Sequence, residues 1–222
     1  KVVNSDSFPK NDNISTLTFL YLTNNHLNLL FMEGKFQNGL KMIPKILSKI
    51  KDLKNHIDPH HVMLIYYKVA CLYFGCDQYV DSIKYLNLIV KNKELKMRED
   101  LLCFTRVLNL VAHYEAGFDY DIDKHIRYTY KFLLKMNDLH EVQKLMIKFV
   151  RNLGNIYPHE LKENFKTLHN ELKPYENDPY ERRAFLYLDI LSWLESKISN
   201  MPISKIIQEK ASKNLPLRKI PR

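Results

Sequence analysis

Glycine is scarce in this chain, five among 222 residues, and tryptophan occurs once. Four of the glycines follow apolar runs, so none remains for a phosphate-cradling loop, and no Walker, dinucleotide-binding or nucleophile-elbow pattern occurs. The three cysteines, Cys71, Cys76 and Cys103, are odd in number and lie within apolar stretches. They form no disulfide framework and read as small buried hydrophobes of a reducing compartment. No stretch approaches the roughly 18 uninterrupted apolar residues of a membrane span, and none has a signal peptide's order of charged and then apolar residues. Long alternation of β-branched with polar residues is missing too, which leaves an all-α chain. The expectation is a soluble, cytoplasmic protein with no membrane association and no cofactor.

What the chain does have is 45% apolar and 27% charged residues, enough to fold rather than stay disordered. Its net charge of +9 is unevenly spread. From Lys197 to Arg222 seven basic residues face Glu209 alone, a net +6, so the preceding 196 residues carry only +3. A body so close to neutral argues against a continuous phosphate-binding track. The basic tail reads first as a solvated end and second as a nucleic-acid arm.

Gly34, Gly75, Gly117 and Gly154 recur at intervals of 41, 42 and 37 residues, each with an aromatic residue within four positions: Phe36, Tyr79, Phe118 with Tyr120, and Tyr157. A fixed period of this size is the mark of stacked supersecondary units. The apolar spacing predicts helix pairs over 15–33 and 35–55, 60–74 and 78–90, 95–116 and 121–136, and 139–153 and 158–172. Asp58-Pro59 supplies a cap and a first-turn proline, and Asp77 is the expected cap of the fourth helix. Asp178-Pro179-Tyr180-Glu181 predicts a capping box opening a helix to Lys197. Pro202 begins a final helix whose Ile203, Ile206 and Ile207 stripe is expected to cover the last repeat. The organisation expected is a loose lead-in over 1–14, a helical-repeat solenoid over 15–198, and a capping helix with basic tail over 199–222, about nine to ten helices in all.

Tyr66, Val69, Ala70 and Tyr73, then Ser82, Leu86 and Ile89, have the large, apolar, small and aromatic spacing that resembles a tetratricopeptide repeat. Ala70 and Ser82 are small enough to let two antiparallel backbones approach. In the third unit Val111 keeps the pattern, while the small position falls on Asp123 or, with a slip of register, on Ile122. The stretch from Tyr85 to Gly117 is also similar to a family of uncharacterised repeat proteins from Bacteroidetes-type bacteria, which implies no established activity. The resemblance implies a right-handed superhelical solenoid whose first helices line a concave groove. On this chain that groove would hold Tyr21, Asn24, Asn28, Leu64, Tyr67, Cys71, Thr105, Asn109 and Ala112, unless several of them pack against the next helix. Relatives that grip an acidic carboxy-terminal tail use cations where this chain has Asn24, Thr105 and Asn109, so a clamp of that kind is not expected.

Arg106, Asn109 and His113 share a helix face at spacings of three and four, with Glu115 nearby. They extend the candidate partner-binding groove, and they are also the residues around which an enzyme site would have to assemble. His56, His60 and His61 do not suit a metal, because Asp58-Pro59 breaks the helix between them. Met42, Met63, Met136 and Met146 read as core filling. The expected function is a non-catalytic module that binds a protein, as a peptide or partner helix, in its groove. The alternative is a nucleic-acid-associated protein using its basic tail. The oligomeric state is open, because an uncapped first repeat would expose an apolar face.

Overall fold

The computed structural model describes residues 12–92, 99–135, 140–152, 156–157, 159–181 and 189–214. Among the described residues there are ten α-helices and no strand. They are α1 (Asp12–Met32), α2 (Phe36–Asp52), α3 (Pro59–Phe74), α4 (Tyr79–Val90), α5 (Glu99–Glu115), α6 (Asp119–Leu133), α7 (Glu141–Asn152), α8 (Leu161–Leu172), α9 (Ile190–Ser199) and α10 (Ile203–Asn214). No described helix is long and apolar enough to cross a membrane.

Consecutive helices from α1 to α8 pack as neighbours, and α1 also touches α3, α3 touches α5, and α5 touches α7. The apolar stripes dictate this. In α2 the buried positions are Phe36, Gly39, Ile43, Ile46 and Ile50, one face at helical spacing. In α3 burial runs through Val69, Ala70, Cys71 and Leu72 and so surrounds the helix, because neighbours lie on several sides. Val69, Ala70, Ser82, Leu86 and Ile89 are all fully buried, and the Tyr66 and Tyr73 rings pack on Tyr85 with centroids 5.8 and 5.6 Å away. Each fully buried leucine contributes roughly 1.5–3 kcal/mol. As expected, Asp58 accepts from the His60 amide at 2.7 Å with Pro59 in the first turn of α3.

The hairpin turns differ from expectation in register. Gly34 and Gly117 have left-handed backbones, φ +62° and +69°, and the equivalent residue of the second turn is Asp77 at φ +58°. At each of them the next amide reaches back five residues: Lys35 to Leu30, Gln78 to Tyr73 and Phe118 to His113, the bond that closes a helix end of this kind. The conformational period is therefore 43 and 40 residues. Gly75 lies in the right-handed helical region, where any residue fits. Its reason for being glycine is contact, since a Cβ there would stand 2.5 Å from the Phe36 ring. Asp77 does not cap α4. Its carboxylate accepts from the Tyr79 hydroxyl at 2.7 Å, because Asp77 stands one residue ahead of the cap position, which Gln78 occupies.

The helix expected from Asp178 to Lys197 is not continuous. Asp178 accepts from the amides of Tyr180 and Glu181 at 2.8 and 3.0 Å, but α9 begins at Ile190, capped by Asp189, whose extended backbone (φ −70°, ψ 92°) interrupts any helix before it. Glu181 does not reach back to its own cap. Its carboxylate accepts from the amides of Glu141 and Val142 at 2.9 and 3.2 Å, and so caps α7 from outside. Gly154, the register choice at Ile122 and Asp123, and the tail over 215–222 lie outside what is described.

The final helix also departs from expectation. The Ile203, Ile206 and Ile207 stripe is buried, and α10 packs on α9 but also reaches the turn of the first hairpin. Gln208 donates to the Gly34 carbonyl at 3.2 Å, across 174 residues, and a Cβ on Gly34 would stand 2.5 Å from the Ser204 carbonyl oxygen. Ahead of it, α9 is tied to the end of α5. The Trp193 indole donates to Glu115 at 2.7 Å, and the Lys197 ammonium bonds the other oxygen of that carboxylate. Lys210 of α10 pairs with Glu195 at 2.9 Å, and Glu195 also meets His169 of α8 at 3.1 Å. The last two helices thus follow α8, α9 packing on α8 and α10 on α9, and at the same time reach the end of α5 and the turn of the first hairpin.

Candidate functional site

Asn24 and Asn28 are half-buried on α1 and face Lys68 of α3. The Lys68 ammonium donates to Asn28 Oδ1 at 2.6 Å, to Asn24 Oδ1, and to the Asn24 carbonyl at 3.4 Å. The whole residue is buried, and desolvation lowers the ammonium from its ordinary 10.5 to about 8. Cys71, one turn on, is also fully buried. Desolvation pushes its thiol well above the usual range, with the Lys68 charge opposing. Lys68 was missed from the sequence, although it is the one Lys or Arg of α3 and sits in the middle of its apolar run.

The other expected groove residues divide. Tyr67, Thr105, Asn109 and His113 are buried. The Thr105 hydroxyl donates to the Leu101 carbonyl at 2.6 Å, and Asn109 donates to Asn87 Oδ1 at 3.0 Å. His113 Nδ1 meets the Asn109 carbonyl at 2.7 Å, a group that only accepts, so the ring donates from Nδ1 and packs on His125 with centroids 4.3 Å apart. Arg106 is half-buried with its guanidinium 4.2 Å over the Phe132 ring, and burial lowers its pKa. Arg106 and His113 therefore turn to α6, while Glu115 turns to α9, and the three share no pocket. Tyr67, Phe104 and Val107 enclose a cavity of about 30 Å³ together with Met146 of α7 and Trp193 of α9. The side of α3 and α5 expected to receive a partner is thus lined by helices of the same chain.

Tyr21 alone of the expected set is strongly exposed, at 66%. It belongs to a wider feature. Between Asn13 and Met32, α1 carries no Lys, Arg, Asp or Glu, and Leu17, Tyr21, Leu22, Leu29 and Met32 all reach solvent. Beside them a groove of about 680 Å³ runs between α1 and α2. Its α1 wall is Phe19, Leu22, Thr23 and His26, and its α2 wall includes Met42, Lys45, Ile46 and Lys49. Both sets follow the three-and-four spacing of one helix face. Sequence reasoning anticipated an apolar face on an uncapped first repeat but not this groove. The signal was available in a run from Asn13 to Met32 without Lys, Arg, Asp or Glu, followed by four lysines in α2.

Among the described residues no group of three or more His, Cys, Asp or Glu stands together as a metal site. No protein-family model matches the chain, and neither a curated protein nor a solved structure is similar to it at a significant level.

Proposed function

We propose that this chain is a non-catalytic protein-interaction module, a tetratricopeptide-like array of helix pairs coiled as a right-handed superhelix, with the α1–α2 groove as its free contact surface. Support for the array comes from the contacts of α1 with α3, α3 with α5 and α5 with α7, and from the left-handed residue that recurs at the first three hairpin turns. The interaction surface rests on one observation, the exposed apolar side of α1, where Leu22 is 57% and Met32 72% open to solvent. Several exposed apolar side chains on one helix beside a groove favour a contact surface, because leaving them in water sacrifices burial worth about 1 kcal/mol or more per side chain. Photo-crosslinking tests this directly. A photoreactive residue at position 22 should capture a discrete protein, and the adduct should vanish with Met42→Glu. Labelling no stronger than from a photoreactive residue at exposed Tyr180, outside the groove, would remove the reading.

A second reading, nucleic-acid association, is favoured by α6 rather than by the tail. Lys124, Arg127, Tyr128, Lys131 and Lys135 share one exposed face, with Tyr130 beside it, and no acidic residue occurs from Lys124 to Lys135. Cations interleaved with exposed rings suit a single-stranded backbone and its bases. Salt-titrated binding of single- and double-stranded oligonucleotides decides it. Absence of affinity at low salt, or affinity unmoved by Lys124→Glu with Lys131→Glu, ends that alternative.

A further inference from the structure

We infer that the partner's docking element is an amphipathic α-helix with one acidic shoulder, seated between α1 and α2 with carboxylates over Lys45 and Lys49; this rests on the interaction surface proposed above. The groove is asymmetric. Its α1 wall is uncharged and includes Phe19 and Leu22, while its α2 wall alternates Met42 and Ile46 with Lys45 and Lys49. Along α2 the lysines at 41, 45, 49 and 51 face only Asp52, and among the described residues none of the four is in an ion pair. Lys45 and Lys49 are one helical turn apart, the pitch at which acidic residues four apart repeat on a helix lying alongside. The α2 wall spans Met42 to Asp52, about 15 Å of helix, enough for a docked segment of roughly three turns.

Other occupants fit less well. A second copy joined through the same patch would bring two lysine rows into one interface, a like-charge arrangement that opposes association. Single-stranded nucleic acid would find cations here, but the rings in the lining, half-buried Phe19 and exposed His26, stand on the wall opposite the lysines, and Leu22, Met42 and Ile46 offer its bases aliphatic surface instead.

The probes are two labelled peptides of about 18 residues with the same leucine stripe at i, i+3, i+4 and i+7. One carries glutamates four apart on a shoulder, and the other carries lysines there. Fluorescence anisotropy with the full chain should show the acidic peptide binding at least about tenfold tighter, weakening as salt rises. Lys45→Glu with Lys49→Glu should reverse the order of the two peptides. Leu22→Glu should abolish binding of the acidic peptide while leaving the far-ultraviolet circular dichroism unchanged. Equal binding of both peptides, or an order indifferent to the lysine exchange, overturns the acidic shoulder but leaves the interaction surface intact. If neither peptide binds while position 22 still crosslinks a protein, the docked helix is refuted and the surface survives. A dimer lost on Leu22→Glu, or an oligonucleotide held by Lys45 and Lys49, refutes it in favour of that occupant.

Discussion

Lys68 makes the most demanding test, because a lysine fully buried among amide oxygens must leave a pH signature in stability. Its folded pKa of about 8 lies below the ordinary 10.5, so the unfolded chain binds this proton more tightly than the folded one. Stability therefore rises with pH across that window. The contribution is complete above 10.5 and is lost as pH falls through 8. Each unit of the gap corresponds to about 1.4 kcal/mol, and between about pH 7 and pH 9 the gain is roughly 1.3 kcal/mol. Above that range the thiols oppose it. Cys71 and Cys76 are both held above their usual values by burial, so the unfolded chain loses their protons first and stability falls. Urea unfolding of the native chain and of Lys68→Met, followed by circular dichroism across this range, isolates the lysine as the difference between two slopes. The native chain should gain on the variant by about 1 kcal/mol. A constant difference, or one of opposite sign, would refute the buried ammonium and with it the Asn24 and Asn28 contacts.

Further consequences are open to measurement. Gly75→Ala drives a methyl into the Phe36 ring and should lower stability by about 1–3 kcal/mol in thermal or urea unfolding. Gly117→Ala meets nothing within 4 Å, so only its left-handed backbone opposes it and about 1 kcal/mol is expected. Glu115→Ala leaves the buried indole N–H of Trp193 without its acceptor, a loss of roughly 1–3 kcal/mol. Since Trp193 is the single tryptophan, its fluorescence should report the loosening of α9 directly. Glu181→Ala strips two amides at the start of α7 of their cap, and hydrogen exchange at Glu141 and Val142 should quicken while the stability loss stays near 1 kcal/mol.

The all-helical class and most helix limits of the first eight helices were legible because they depend on neighbours in sequence. Apolar spacing marks the buried face, and Asp58-Pro59 marks the start of α3 through a local cap. The turn register was only half legible. Gly34 and Gly117 announce left-handed residues, but Asp77 adopts the same backbone without announcing it, and Gly75 nearby is small for a contact with Phe36 that no local pattern encodes. The burial of the Ile203, Ile206 and Ile207 stripe was legible, but not its destination, because an apolar stripe specifies no partner. For the same reason Thr105, Asn109 and His113 looked like groove polar residues. Their intrahelical and interhelical bonds make them compatible with a covered position, and composition does not separate the two.

The contact of Gln208 with Gly34 joins the last helix to the first turn. Arrays whose units touch only adjacent units tolerate whole-unit insertion and deletion and fray from their tips. Here the turn of the first hairpin waits for a cover made more than 170 residues later. On a ribosome the earliest hairpin emerges long before its lid. Adding or deleting one helix pair in the middle would carry α10 away from this seat, so the contact constrains the length of chain between its two partners.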